Sequence, residues 1–117
     1  MEINRIRTEI WVQALLRRAE VAGAMGGVVR KGDIDAGAVL LRVSRLDGTS
    51  NFYVPARDMD GQQIWIQPLG TEPVEDGRLN AYCDRRLEDD PDLWVVEIED
   101  RKGRHFLTEP VESEDGK

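Results

Sequence analysis

One cysteine, Cys83, and one histidine, His105, are the whole supply of thiol and imidazole in this chain of 117 residues. A lone cysteine forms no internal disulfide, and the two together cannot furnish the four ligands of a structural zinc site. Long apolar runs are also missing: none approaches the roughly 20 residues of a membrane span. The first residues, Met-Glu-Ile-Asn-Arg-Ile-Arg, hold no apolar signal-peptide core, so a cytoplasmic location without membrane contact is expected. Basic residues are in deficit, with 16 Lys and Arg against 23 Asp and Glu and a net charge of −7. Nucleic-acid binding relies on phosphate neutralisation by cations, and this balance argues against it.

What is present suits one globular domain with a heavily charged surface. Hydrophobic residues make up 40% and charged residues 33%, and the length leaves room for a single core. The reading is one domain over residues 1–109 and an acidic, disordered tail over 110–117. The charge is uneven along the chain. Residues 1–46 hold eight basic and five acidic side chains, whereas residues 47–117 hold eight and eighteen. Such asymmetry can steer an encounter with a protein partner or with a second copy.

Trp11, Val12, Leu15, Leu16, Ala19 and Ala22 recur at helical spacing, which predicts a helix from Thr8 to Ala22, capped by Thr8 and ended by Gly23. Strands are predicted over Met25–Arg30, Ala38–Val43, Asn51–Val54 and Gln62–Leu69, with turns at Asp47-Gly48 and Asp60-Gly61. A second helix from about Val74 or Asp76 to Glu88 would bury Leu79, Tyr82, Cys83 and Leu87, and Pro91 would stop it. Strands over Leu93–Glu99 and Arg104–Leu107 complete the order α-β-β-β-β-α-β-β. Short links between strands demand antiparallel pairing, so the expected fold class is α+β, an antiparallel meander packed by two helices.

Gly23-Ala24-Met25-Gly26-Gly27 is glycine-rich, but a phosphate cradle opens a helix, and here the helix comes first; helix termination is the better reading. Asp33, Asp35, Asp47, Asp58 and Asp60 lack the closing Glu of a calcium loop and sit where turns ordinarily take Asp. Cys83 and His105 fall on different elements, with Cys83 on an apolar stripe where a thiol is inert. Asp92, Glu97, Glu99, Asp100 and Lys102 loosely spell the acid and acid-x-Lys arrangement of a metal-dependent nuclease or hydrolase, the alternative activity. Against it, Asp100-Arg101-Lys102 lies at a turn, and no basic surface accompanies it. No cofactor is expected. Trp11 and Trp94 read as core, whereas Trp65, facing away from Ile64 and Ile66, reads as an exposed anchor for a protein contact.

Two segments carry a resemblance. Ile10-Trp11-Val12-Gln13-Ala14-Leu15-Leu16-Arg17-Arg18 runs on through Arg30-Lys31-Gly32-Asp33-Ile34-Asp35-Ala36-Gly37-Ala38, and Asp90-Pro91-Asp92-Leu93-Trp94-Val95-Val96-Glu97 follows later. Together they resemble the DUF1491 family of small bacterial proteins, a resemblance that implies a bacterial cytoplasmic protein and supplies no activity or site residues. Exposed charge mixed with turn glycines marks Arg17, Arg18, Arg30, Lys31, Asp33 and Asp35, with Trp65, as the surface to examine. The competing reading is that Gly32 and Gly37 only set hairpin geometry. The expected function is a non-enzymatic interaction domain that binds a protein partner or itself.

Overall fold

A computed structural model describes residues 6–112. The elements are α1 (Thr8–Val21), β1 (Met25–Arg30), β2 (Val39–Ser44), β3 (Thr49–Arg57), β4 (Gln63–Ile66), the two-residue β5 (Val74–Glu75), α2 (Asp76–Asp89) and β6 (Trp94–Glu99). The α+β class, the two helices and the order of the main elements are those expected. Arg104–Leu107 runs between the core and solvent without joining a ladder.

The sheet is open and mostly antiparallel, in the order β1-β6-β2-β3-β4, with β5 beside the start of β3. One pair departs from the meander: β6 lies between β1 and β2, antiparallel to the first and parallel to the second. The reason is the connection. Helix α2 and its loops form a crossover long enough to bring the chain back across a sheet face, which a parallel neighbour requires. The loop between β1 and β2 is therefore a bridge over the end of β6 and not a hairpin.

Alternation along the strands then assigns two cores. Leu41, Val43, Tyr53, Trp94, Val96 and Ile98 point to the face covered by Val12, Leu15 and Ala19 of α1. Leu40, Phe52, Val54 and Val95 point to the opposite face, under Leu79 and Cys83 of α2. Strand β2 is buried on both faces, as its continuous apolarity requires.

Helix α1 begins and ends by different devices. Thr8 is its first helical residue and not its cap, with Arg7 in the cap position. The Thr8 hydroxyl donates to the Gly37 carbonyl at 2.8 Å, and the Thr8 and Glu9 amides donate to the carbonyls of Asp35 and Ile34. The following loop thus satisfies the donors that a side-chain cap would otherwise take. At the other end Gly23, with φ +92°, donates its N–H to Glu20, and Ala24 donates to Ala19. This is a complete Schellman closure. It uses the amides that a phosphate loop would have needed free.

Candidate functional site

The charged loop and the Asp90–Glu97 segment turn out to be in contact. Asp33 donates its amide to the Asp92 carbonyl at 3.0 Å, and its own carbonyl accepts the Trp94 indole N–H at 2.7 Å. The Arg30 guanidinium donates to the carbonyls of Pro91 and Leu93. A Cβ on Gly32 or on Gly37 would collide with the Asp92 carbonyl. The glycines are there for close backbone approach rather than for hairpin geometry, since neither has a positive φ. Asp33 closes an Asx turn onto the amides of Asp35 and Ala36. The most distinctive residues of the chain therefore form a clasp that holds β6 in place.

Of the surface marked by sequence, Arg18 is also absorbed into structure, donating through Nε and Nη2 to the Phe106 carbonyl. Lys31 lies 3.4 Å from Glu9, and Asp35 lies 3.5 Å from Arg7, both as partly exposed ion pairs of small energetic weight. Arg17 is exposed on the side of α1 nearest β1.

Trp65 requires a correction. It does face away from Ile66, but that side is covered by α1, and the residue is only 1% exposed. Its ring stacks on Trp11 with centroids 5.5 Å apart. Both indoles donate to one carboxylate: Trp11 to Glu109 Oε2 at 3.1 Å and Trp65 to Glu109 Oε1 at 3.0 Å. Burial would raise the Glu109 carboxyl, but the two indole hydrogen bonds outweigh it and hold the group below its ordinary value. Beyond Glu109, the Trp65 amide donates to Pro110 and the Glu112 amide donates to Trp65, so residues 110–112 lie beside β4. They are not the start of a frayed tail, and residues 113–117 lie outside the described part of the chain. Asp35 and Trp65 do share one feature, a shallow cleft of about 310 Å³ walled also by Trp11, Arg57 and Gln63.

The acidic residues proposed for metal chemistry do not converge. Asp92 precedes β6 and Asp100 follows it, which puts them roughly 20 Å apart at the rise of a strand. Asp100 is committed to its own turn: it accepts the backbone N–H and two guanidinium N–H groups of Arg104, which lower its carboxyl from the ordinary value. Glu97 lies on the α2 side, 3.2 Å from the Arg42 guanidinium; burial pushes its carboxyl up despite that partner. Arg42 also reaches Asn80 and Asp76 on α2, a polar bridge that no local pattern announces. Among the described residues, no group of three or more His, Cys, Asp or Glu side chains is placed to hold a metal ion. Cys83 belongs to the α2-side core and His105 packs on Tyr53 of the α1-side core, so the sheet separates them. Burial raises the Cys83 thiol and lowers the His105 imidazole.

The feature that sequence reasoning passed over is β1. Being at the end of the sheet order, it presents one unpaired row of backbone groups. Met25 is 70% exposed, Val28 44% and Val29 61%, the only large apolar side chains of the strand. The opposite end of the sheet is treated differently, because the 110–112 segment lies along β4. Between α1 and β1 runs a groove of about 410 Å³ floored by Leu16, Ala24 and Gly26 and edged by Gln13, Arg17 and Glu20. The signal was legible as an apolar strand with neither charge nor proline from Met25 to Val29, which edge strands ordinarily avoid.

No helix among the described residues is long and apolar enough to cross a membrane. A crystal structure of a DUF1491 family protein from Caulobacter crescentus CB15 superposes with a TM-score of 0.84 at 52% identity, covering 92% of this chain and 100% of that one. An NMR structure of a DUF1491 family protein from the same organism gives a TM-score of 0.80 at 53% identity, with 92% and 97% covered. The solution structure of protein Atu0922 from A. tumefaciens gives 0.75 at 34% identity, with 91% and 95% covered. No curated protein matches. The model of DUF1491, a protein family of unknown function, matches residues 6–108, and with these structures it shows that the chain belongs to the DUF1491 family.

Proposed function

We propose that the protein is a non-enzymatic interaction domain of the bacterial cytoplasm that engages another polypeptide by strand addition at β1. The observation that carries this reading is the open β1 edge with Met25, Val28 and Val29 exposed along it. A free edge offers alternating donors and acceptors to an incoming strand, and exposed side chains of alternate residues add selectivity. A protein with no need of the edge ordinarily blunts it with Lys, Pro or a covering segment. Here the strand has one shift in register at Val28/Arg30 and one charge, Arg30, whose guanidinium is turned back onto the Pro91 and Leu93 carbonyls. The buried free thiol of Cys83 is compatible with a reducing compartment.

The test is affinity capture from native lysate with the tagged chain and with its Val29→Lys variant. A binder, whether another protein or an untagged copy, should be retained by the unaltered chain and lose at least about nine-tenths of its recovery on the variant. Equal recovery on both would refute strand addition at β1. Val29 is largely exposed, so the substitution should leave the melting temperature within about 2 °C.

A further inference from the structure

We infer that the occupant of the β1 edge is a second copy of this chain, paired antiparallel about a two-fold axis through Gly27. This rests on the strand-addition reading and names its partner. Four features of the strand and its surroundings point to self-pairing.

The first is an unexplained glycine. Gly26 is required within one molecule, because a Cβ there would press on Leu16 and on the Glu97 carbonyl. Gly27 is not: a Cβ would meet nothing within 4 Å, and its φ is not positive. The fold of a single copy has no use for glycine at this position.

The second is the distribution of bulk. Met25–Arg30 reads Met-Gly-Gly-Val-Val-Arg, with no side chain at the centre and branched side chains beyond it. An axis perpendicular to the sheet keeps the α1 faces of both copies on the same side. Residues of equal parity then face each other, as they do across any antiparallel pair. Centring on Gly27 places Gly26 of each copy opposite Val28 of the other. Val28 of each copy thus meets a position without a side chain, and Val29 meets Met25 on the other face.

The third is the groove. Gly26 lies on its floor beside Leu16. Val28 of the second copy, arriving opposite Gly26, is directed into that groove, so the edge and the groove take the same occupant. The two-fold makes the contact isologous, with the same residues used on both sides.

The fourth is charge. The basic pair Arg30 and Lys31 stands at one end of β1, and the carbonyl end of α1 with Glu20 stands at the other. Antiparallel pairing brings Lys31 of each copy toward Glu20 of its mate. A parallel arrangement would set like against like.

Sedimentation equilibrium of the full-length chain from about 10 µM to about 1 mM tests the inference. A monomer–dimer equilibrium is expected, weakened at least about tenfold by Val28→Lys and, separately, by the more exposed Val29→Lys. Far-UV circular dichroism and melting at low concentration should match the unaltered chain for at least one of them. A chain that stays monomeric up to about 1 mM overturns the inference, as does a dimer that both variants leave intact. The two readings fail separately. A monomer that still captures another protein through Val29 removes self-pairing and leaves strand addition standing, whereas capture insensitive to Val29 removes both.

Discussion

Replacing Gly32 by alanine is expected to destabilise the protein by about 3 kcal/mol, with a fall in melting temperature of roughly 10 °C or more. The added methyl would sit 2.6 Å from the Leu93 carbonyl carbon and closer still to the Asp92 carbonyl. Both are backbone atoms, so no side-chain rotation relieves the contact. The loop must lift, and lifting it stretches the Asp33–Asp92 and Trp94–Asp33 hydrogen bonds together. Gly37→Ala should behave similarly, since it faces the same Asp92 carbonyl and also the Asp33 backbone. Gly27→Ala is the control, with open space at the Cβ and a cost near zero for the isolated chain. Chemical denaturation of the three variants at low protein concentration measures this. Equal midpoints for Gly32→Ala and Gly27→Ala would contradict the clasp.

Glu109→Ala is expected to cost about 3 kcal/mol by a different route. Two indole N–H groups, from Trp11 and the buried Trp65, would lose their common acceptor, and an unsatisfied buried donor costs about 1–3 kcal/mol. Glu109→Gln should cost less, because its amide carbonyl can still accept from one indole. Acid should reproduce part of the effect. The folded-state pKa of Glu109 lies below the ordinary 4.5, so its contribution is complete above 4.5 and is lost as pH falls through the folded-state value. The Gln variant should remove that part of the acid sensitivity while leaving the part due to Asp100, whose pKa is depressed by Arg104. Tryptophan fluorescence during acid titration reads the indole environments directly. Unchanged midpoints in both variants would show that the carboxylate does not hold the indoles.

These two expectations also mark what could be seen in the sequence. Helical spacing in α1, turn residues at Asp47-Gly48 and Asp60-Gly61, and the apolar run of β2 are local signals, and the corresponding elements form where the signals lie. Gly32 and Gly37 stood out for the same reason, but the carbonyl that demands them belongs to Asp92, more than fifty positions away. Trp11 and Glu109 are 98 positions apart, and no periodicity links them. Trp65 was assigned to its correct side of β4, yet alternation says only which side a residue takes and not whether a helix covers it. The placement of β6 between β1 and β2 was invisible for a related reason: partner choice among strands depends on the path of the crossover. The apolar character of Met25–Val29 was legible in composition, but the position of β1 at the edge was known only once β6 had a place.

That placement has a consequence for how the chain is made. β1 joins the sheet through β6 alone, and β6 begins at Trp94. While the chain is being synthesised, β2 and β3 can pair as a hairpin, but β1 has no strand to lie against until most of the protein has emerged. Chains of this topology fold slowly because the decisive contacts close a long loop. Until they do, β1 exposes both of its edges instead of one, and it is then a hazard for unwanted association. A chain cut short before Trp94 would keep that nascent condition permanently, with β1 unattached beside a separate β2-β3-β4 meander in place of one sheet.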